Sequence, residues 1–153
     1  MTDLSKVLPH KKPMILLDDI IKVDLENKYV TTYFHVDDKK MFYDKTLNGI
    51  PSICGIEFMA QTIGCYAFYA KKEETPRIGF LLGSRLYNNS IDLFKAGETY
   101  TVKAVEAYYD NEISAFDCFI YDKLEEEVAS ATINVYQSDD DKNMEFIGIN
   151  GEK

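Results

Sequence analysis

Histidine is scarce in this chain: only His10 and His35 occur in 153 residues, so a histidine-rich metal site is excluded. Cysteine is hardly commoner. Cys54, Cys65 and Cys118 are an odd number at wide spacing, with no C-x-x-C pair. That excludes zinc ribbons and thioredoxin-type redox motifs. The three read as small buried thiols in a reducing compartment. Positive charge is also in deficit, with 17 Lys+Arg against 26 Asp+Glu and a formal charge of -9. A surface this acidic repels phosphate backbones, and no nucleic-acid partner is expected. No apolar run approaches the ~20 residues of a membrane span, so no membrane partner is expected. The opening Met-Thr-Asp-Leu-Ser-Lys lacks the apolar core of a signal peptide, and the expected location is cytoplasmic. No metal cluster, phosphate-cradling glycine loop or nucleotide motif is visible, so no cofactor is expected.

What is present is the balance of a folded globule, 46% hydrophobic and 28% charged, at the length of one domain. Residues 1–8 read as a short polar helical turn, broken by Pro9 and Pro13. Residues 14–23 read as a strand bent near Asp18 and Asp19, followed by a turn at 26–28. Residues 29–36 alternate, with Val30, Phe34 and Val36 opposed to Thr31, Tyr33 and His35. The segment 51–72 is the one convincing helix. Pro51 or Ser52 suits its first turn, and Ile53, Ile56, Ala60, Ile63 and Ala67 recur at steps of three and four. It carries little charge before Lys71, so it should be buried nearly all round. Four more strands are predicted, at 78–86, 98–108, 112–121 and 127–136, with turns at 110–111 and 122–123. The last strand sets Ala129, Ala131, Ile133 and Val135 against Ser130, Thr132 and Asn134. Residues 138–153 read as a loose polar tail on a single domain of residues 1–137, although Phe146, Ile147 and Ile149 are apolar enough to dock. Two strands, one long buried helix and a run of antiparallel strands give an α+β class. The matching architecture is the hotdog fold, an antiparallel sheet wrapped around one central helix.

Three segments go beyond pattern. The first runs Leu8-Pro9-His10-Lys11-Lys12-Pro13-Met14-Ile15-Leu16-Leu17-Asp18. The second runs Pro51-Ser52-Ile53-Cys54-Gly55-Ile56-Glu57-Phe58-Met59-Ala60-Gln61. The third, weaker, is Gly79-Phe80-Leu81-Leu82-Gly83-Ser84-Arg85. Together, in order and over residues 8–97, they resemble the β-hydroxyacyl-[acyl carrier protein] dehydratases. Within that family the chain looks most like the aryl-polyene type, whose helix carries a G-I-E-x-x-A-Q segment.

The resemblance implies removal of water from a 3-hydroxyacyl thioester on acyl carrier protein or coenzyme A. The α-proton must leave, the 3-hydroxyl must be protonated, and the thioester carbonyl must carry enolate-like charge. The family's helix acid maps onto Glu57. A backbone N–H at the helix start, at Ser52 here, would polarise the carbonyl. Pro9, Ser52, Gly55 and Gln61 are the positions the resemblance places around the substrate. On residue chemistry alone, Gln61 reads as an amide buried against backbone. The family's catalytic histidine, in a G-H-F-P-G segment, lies fourteen residues before the acid. Here that position is Tyr43, and the segment is absent. His10 is then the better histidine, because the family's L-P-H segment lies close to the acyl tunnel. His35, on a strand end flanked by charge, is the alternative. Arg85 and the pair Lys11-Lys12 are basic residues that can attract a phosphate arm or an acidic carrier. Cys54, near the helix start, is expected to be structural.

Two rivals share the fold. A hotdog thioesterase would use Glu57 to activate water. A non-catalytic hotdog subunit would bind acyl chains or pair with an active partner. A homodimer at least, up to a trimer of dimers, is expected, because one such sheet leaves an open edge.

Overall fold

The structure, a computed structural model, describes residues 2–9, 14–70, 80–110 and 113–136. His10, the Lys11-Lys12 pair and the 138–153 tail lie outside the described residues. So does the side chain of Arg85.

The strands are β1 (Asp19–Asp24), β2 (Tyr29–His35), β3 (Gly49–Pro51), β4 (Phe80–Asn89), β5 (Leu93–Lys95), β6 (Thr99–Asp110), β7 (Ile113–Tyr121) and β8 (Glu127–Tyr136). The single long helix is α1 (Gly55–Ala70), and short 3-10 turns occupy Leu4–Lys6 and Ser52–Cys54. Six strands form one sheet in the order β1-β2-β6-β7-β8-β4, and β3 pairs with β5 in a separate ribbon. All the pairings are antiparallel. The class is α+β and the architecture is the hotdog: a large antiparallel sheet packed around one helix.

Period-two alternation places one face of each central strand against α1. The register turns these faces into rows. Thr32 lies opposite Val102, Val102 opposite Ile120, and Ile120 opposite Ala129. The next row runs Val30, Ala104, Cys118 and Ala131. Every residue in both rows is buried. The small side chains of the second row leave depth for a helix to lie close to the sheet.

At one end of the helix the core is aromatic. The Phe34 and Phe58 rings stack with centroids 3.7 Å apart, and Phe94 meets Phe34 edge-on at 5.3 Å and Tyr100 at 4.9 Å. One polar pair is buried with them. Thr62 donates its hydroxyl to the Phe58 carbonyl at 2.8 Å and lies 2.8 Å from the Thr32 hydroxyl. A hydroxyl has one hydrogen, so Thr32 is the donor to Thr62.

Several expectations shift. Residues 14–18 are not strand; pairing begins at Asp19, because the preceding backbone is bonded to a helix side chain instead. The helix begins at Gly55, and Ser52–Cys54 is a tighter 3-10 turn. That turn takes Ile53 off the helical phase and leaves it 64% exposed. Ile56, Ala60 and Ala67 are only half-buried, and the deepest face is instead Gly55, Phe58, Met59, Thr62, Cys65 and Tyr66. The N-terminal turn is polar in composition, yet Leu4, Val7 and Leu8 are buried in the core. The β3–β5 ribbon is too short, at three residues a strand, to leave a periodic signal.

Candidate functional site

The start of α1 is held from two sides. From the ribbon, the Ser52 N–H donates to the Asp92 carbonyl at 2.9 Å. From the sheet, the Tyr87 hydroxyl donates to the Ser52 carbonyl. The Gly55 N–H also donates to that carbonyl, closing the 3-10 turn. Ser52 is buried, and Gly55 is packed so closely that a methyl group on it would run into the Tyr87 hydroxyl and lie 3.2 Å from Ile120.

This corrects one expected role. The Ser52 N–H is committed to Asp92 and is not free to polarise a thioester carbonyl. The first N–H groups of a helical turn have no partner within it. Ser52 is satisfied by Asp92, and the 3-10 turn closes through the Cys54 and Gly55 N–H groups, so the donor the turn itself leaves unpaired is that of Ile53.

Glu57 lies in the first turn of α1 and is half-buried. A carboxylate there is favoured by the positive end of the helix dipole. Cys54 stands one turn earlier and is half-buried too. Burial, and then the Glu57 charge, push its thiol above the ordinary cysteine range. The helix start therefore does not activate Cys54 as a thiolate. Cys65 and Cys118 are buried, and burial pushes the Cys65 thiol up to about 12.

Gln61 follows Glu57 by one turn and is buried. Its side-chain carbonyl accepts the Leu16 N–H at 2.9 Å, and its amide donates to the Met14 carbonyl at 2.7 Å. The residue therefore reaches any site through the 14–16 backbone. One further turn on, a methyl at Gly64 would lie 2.9 Å from Leu8 Cδ2, so Leu8 packs directly on the helix there. Positions 57, 61 and 64 are spaced by four and three and share one helix face. Leu8, Met14 and Leu16 are laid along that face.

The far end of the same segment is fixed as well. Asp18 donates its N–H to Tyr33 at 2.9 Å, and its carboxylate pairs with Lys40 at 2.9 and 3.0 Å. It also accepts the His35 N–H. Pro9 is exposed beside the buried Leu8. His35, the last residue of β2, lies 2.8 Å from the Thr99 hydroxyl through Nδ1. Tyr43 is half-buried against the core, while the Asp44 carboxylate accepts the N–H groups of Thr46 and Leu47 and so serves its own turn.

The structure thus brings Ser52, Gly55, Glu57 and Gln61 to one stretch of helix. Sequence reasoning missed Tyr87 and Asp92. Both lie beyond the third motif, and only the sheet's curvature carries them to the helix start.

Removing the Gln61 clamp should be measurable. Gln61→Met keeps the volume but strands the Leu16 N–H in the core, a loss of about 1–3 kcal/mol. Urea unfolding should show it as a lower midpoint with an unchanged slope. An unchanged midpoint would mean that water replaces the amide.

Comparison with known proteins now bears on the site. The ApeP-like family model, described as ApeP dehydratase, matches residues 2–147. The chain belongs to the ApeP-like dehydratase family. Family membership makes it a lyase-type dehydratase and agrees with the aryl-polyene-type resemblance. Among solved structures it is similar to the dehydratase heterocomplex ApeI:P from Xenorhabdus doucetiae. Identity is 25%, over 96% of this chain and 98% of that one, with a TM-score of 0.84. A hypothetical thioesterase with coenzyme A from Streptococcus pneumoniae TIGR4 shares the fold at 15% identity. It covers 78% of this chain and 84% of its own, with a TM-score of 0.62. The smu.793 protein from Streptococcus mutans UA159 bound to acetyl CoA is similar at 17% identity. It covers 84% of this chain and 96% of its own, with a TM-score of 0.61. No helix among the described residues is long and apolar enough to cross a membrane.

Proposed function

We propose that this ApeP-like dehydratase removes water from 3-hydroxyacyl thioesters carried on acyl carrier protein or coenzyme A. The product is the 2-enoyl thioester, in fatty-acid or polyene-type biosynthesis. Glu57 and His10 are the proposed acid–base pair. The observation that supports them is the shared helix face. Leu8 is packed at Gly64 and Met14 is bonded to Gln61, so the chain on both sides of His10 is anchored within two turns of Glu57. Glu57 precedes Gln61 by about 6 Å along the helix axis. His10 follows Leu8 by two residues, a reach of about 7 Å.

In this reading the imidazole takes the α-proton as the Cα–H bond breaks. Its ordinary pKa of about 6.5 suits that step. The electron pair forms the Cα–Cβ double bond as the Cβ–O bond breaks. Glu57 delivers or directs the proton that lets the hydroxyl leave as water. In the same reading the Ile53 N–H faces the carbonyl that carries the developing charge. Pro9, Gly55 and Gln61 shape and hold the surrounding backbone.

The assembly proposed is a homodimer or larger. β4 ends the six-stranded sheet and is ten residues long. Long open edges recruit further strands, and pairing with a second copy removes this one. The three free thiols support a cytoplasmic, reducing setting.

One observation favours a second reading. The solved neighbour at TM-score 0.84 is a dehydratase heterocomplex, and on this second reading the chain is a subunit that works only beside a partner subunit. A single experiment separates the readings. The purified protein is sized by light scattering, then incubated with 3-hydroxyacyl and enoyl thioesters on carrier protein and on coenzyme A. Loss or gain of one water by mass spectrometry is the expected result. Free thiol without enoyl product would favour thioester hydrolysis. No turnover alone, restored by an added hotdog dehydratase subunit, would favour the second reading.

A further inference from the structure

We infer that Tyr87 is a positioning residue for the thioester carbonyl: its hydroxyl holds the Ser52–Ile53 peptide so that the Ile53 N–H stays aimed at one point. The inference rests on the dehydration reading above. It goes further by assigning a role to a residue outside the three motifs.

Four observations carry it. First, the Tyr87 hydroxyl donates to the Ser52 carbonyl, whose own N–H is held by Asp92. Ser52 is therefore held on both sides, and the Ile53 N–H, which shares a peptide plane with the held carbonyl, is fixed with it. Second, the hydroxyl lies where a side chain at Gly55 would go, so glycine is required there by Tyr87 itself. Third, β4 is deformed to bring Tyr87 inward. Its register with β8 shifts between Arg85 and Asn88, and Leu86 takes a left-handed φ of 54° while lying 83% exposed. A left-handed conformation costs a leucine about 1–2 kcal/mol. The extra residue reverses the in–out alternation, which turns Tyr87 toward the helix as Leu86 turns away. Fourth, burial, with a contribution from Cys54, pushes the Tyr87 phenol up to about 12. It remains a hydrogen-bond donor throughout the neutral range. Donors fixed before charge develops stabilise that charge without reorganising.

Tyr87→Phe tests the inference, since it removes only the hydroxyl. On 3-hydroxyacyl thioesters, kcat should fall by about 10-fold or more, while KM changes by less than about threefold. Hydrogen exchange should quicken by about 10-fold at the 53–55 amides, with β7 and β8 unchanged. A second pair of variants covers the fold. Gly55→Ala should lower Tm sharply, and Gly55→Ala with Tyr87→Phe should recover part of that loss. Unchanged exchange at 53–55, or equal fractional losses of kcat and of folded protein, would overturn the positioning role. So would a double variant no better than Gly55→Ala alone. If the wild-type protein turns over none of the thioesters, alone or with an added hotdog dehydratase subunit, the dehydration reading fails on that ground. The exchange and Tm measurements still judge the Tyr87 lock by itself.

Discussion

Glu57→Gln should lower turnover of a 3-hydroxyacyl thioester by roughly 100-fold or more while the protein stays folded and assembled. The amide keeps the shape of the side chain and its place in the first turn of α1. It cannot release or recover the proton on which departure of the hydroxyl depends. A 100-fold loss is about 2.7 kcal/mol of transition-state stabilisation. His10→Ala should cost as much, because no other base is motif-supported and His35 is engaged with Thr99. The measurement is steady-state enoyl formation in whichever assembly is active, with circular dichroism and light scattering as controls. His10→Ala with full activity, beside a dead Glu57→Gln, would leave Glu57 acting without histidine and would favour thioester hydrolysis. Full activity in both variants would place the chemistry elsewhere.

Phe58→Ala should lower stability by about 3–5 kcal/mol. The ring is fully buried, stacks on Phe34 at 3.7 Å and meets Phe94 at 6.0 Å, so its removal opens a cavity walled by rigid aromatics. The surrounding rings are held by both the sheet and the ribbon and have little freedom to collapse inward. Thermal unfolding should show a fall in Tm on the order of 10 °C. Phe58→Leu, which fills much of the space, should lose less than half as much. Equal losses from the two variants would assign the effect to ring stacking rather than to volume. Phe58 adjoins Glu57, so the same variants should also slow turnover; the unfolding data separate that from loss of folded protein.

Periodicity was legible wherever one element ran long enough to repeat. β8 falls at residues 127–136 as its alternation predicts, and β2 and β7 lie within a residue of their expected limits. Each has one face on α1 and one face outward, so burial writes a period of two into the residues. The helix was legible for the same reason, but its phase was not. Apolar residues on several faces leave the deepest one undetermined: Ile53 proved exposed and Thr62 buried, while Gln61 is buried against backbone as its amide suggested. Polar side chains can lie in the core only when partners wait there. Those partners, Thr32, Met14 and Leu16, are more than twenty residues away in the chain.

The site divides along the same line. The residues by themselves determined an acidic α+β domain and a carboxylate on a buried helix. The ordered L-P-H and G-I-E-x-x-A-Q segments pointed to the dehydratases. These are local patterns, and short-range chemistry suffices to read them. Only the tertiary structure decided that Ser52 gives its N–H to Asp92, that Gln61 clamps the backbone after His10, and that a bulge in β4 sends Tyr87 to the helix start. Each of these is a hydrogen bond between distant parts of the chain. Its existence depends on where the sheet's curvature carries a donor, and no local preference records that.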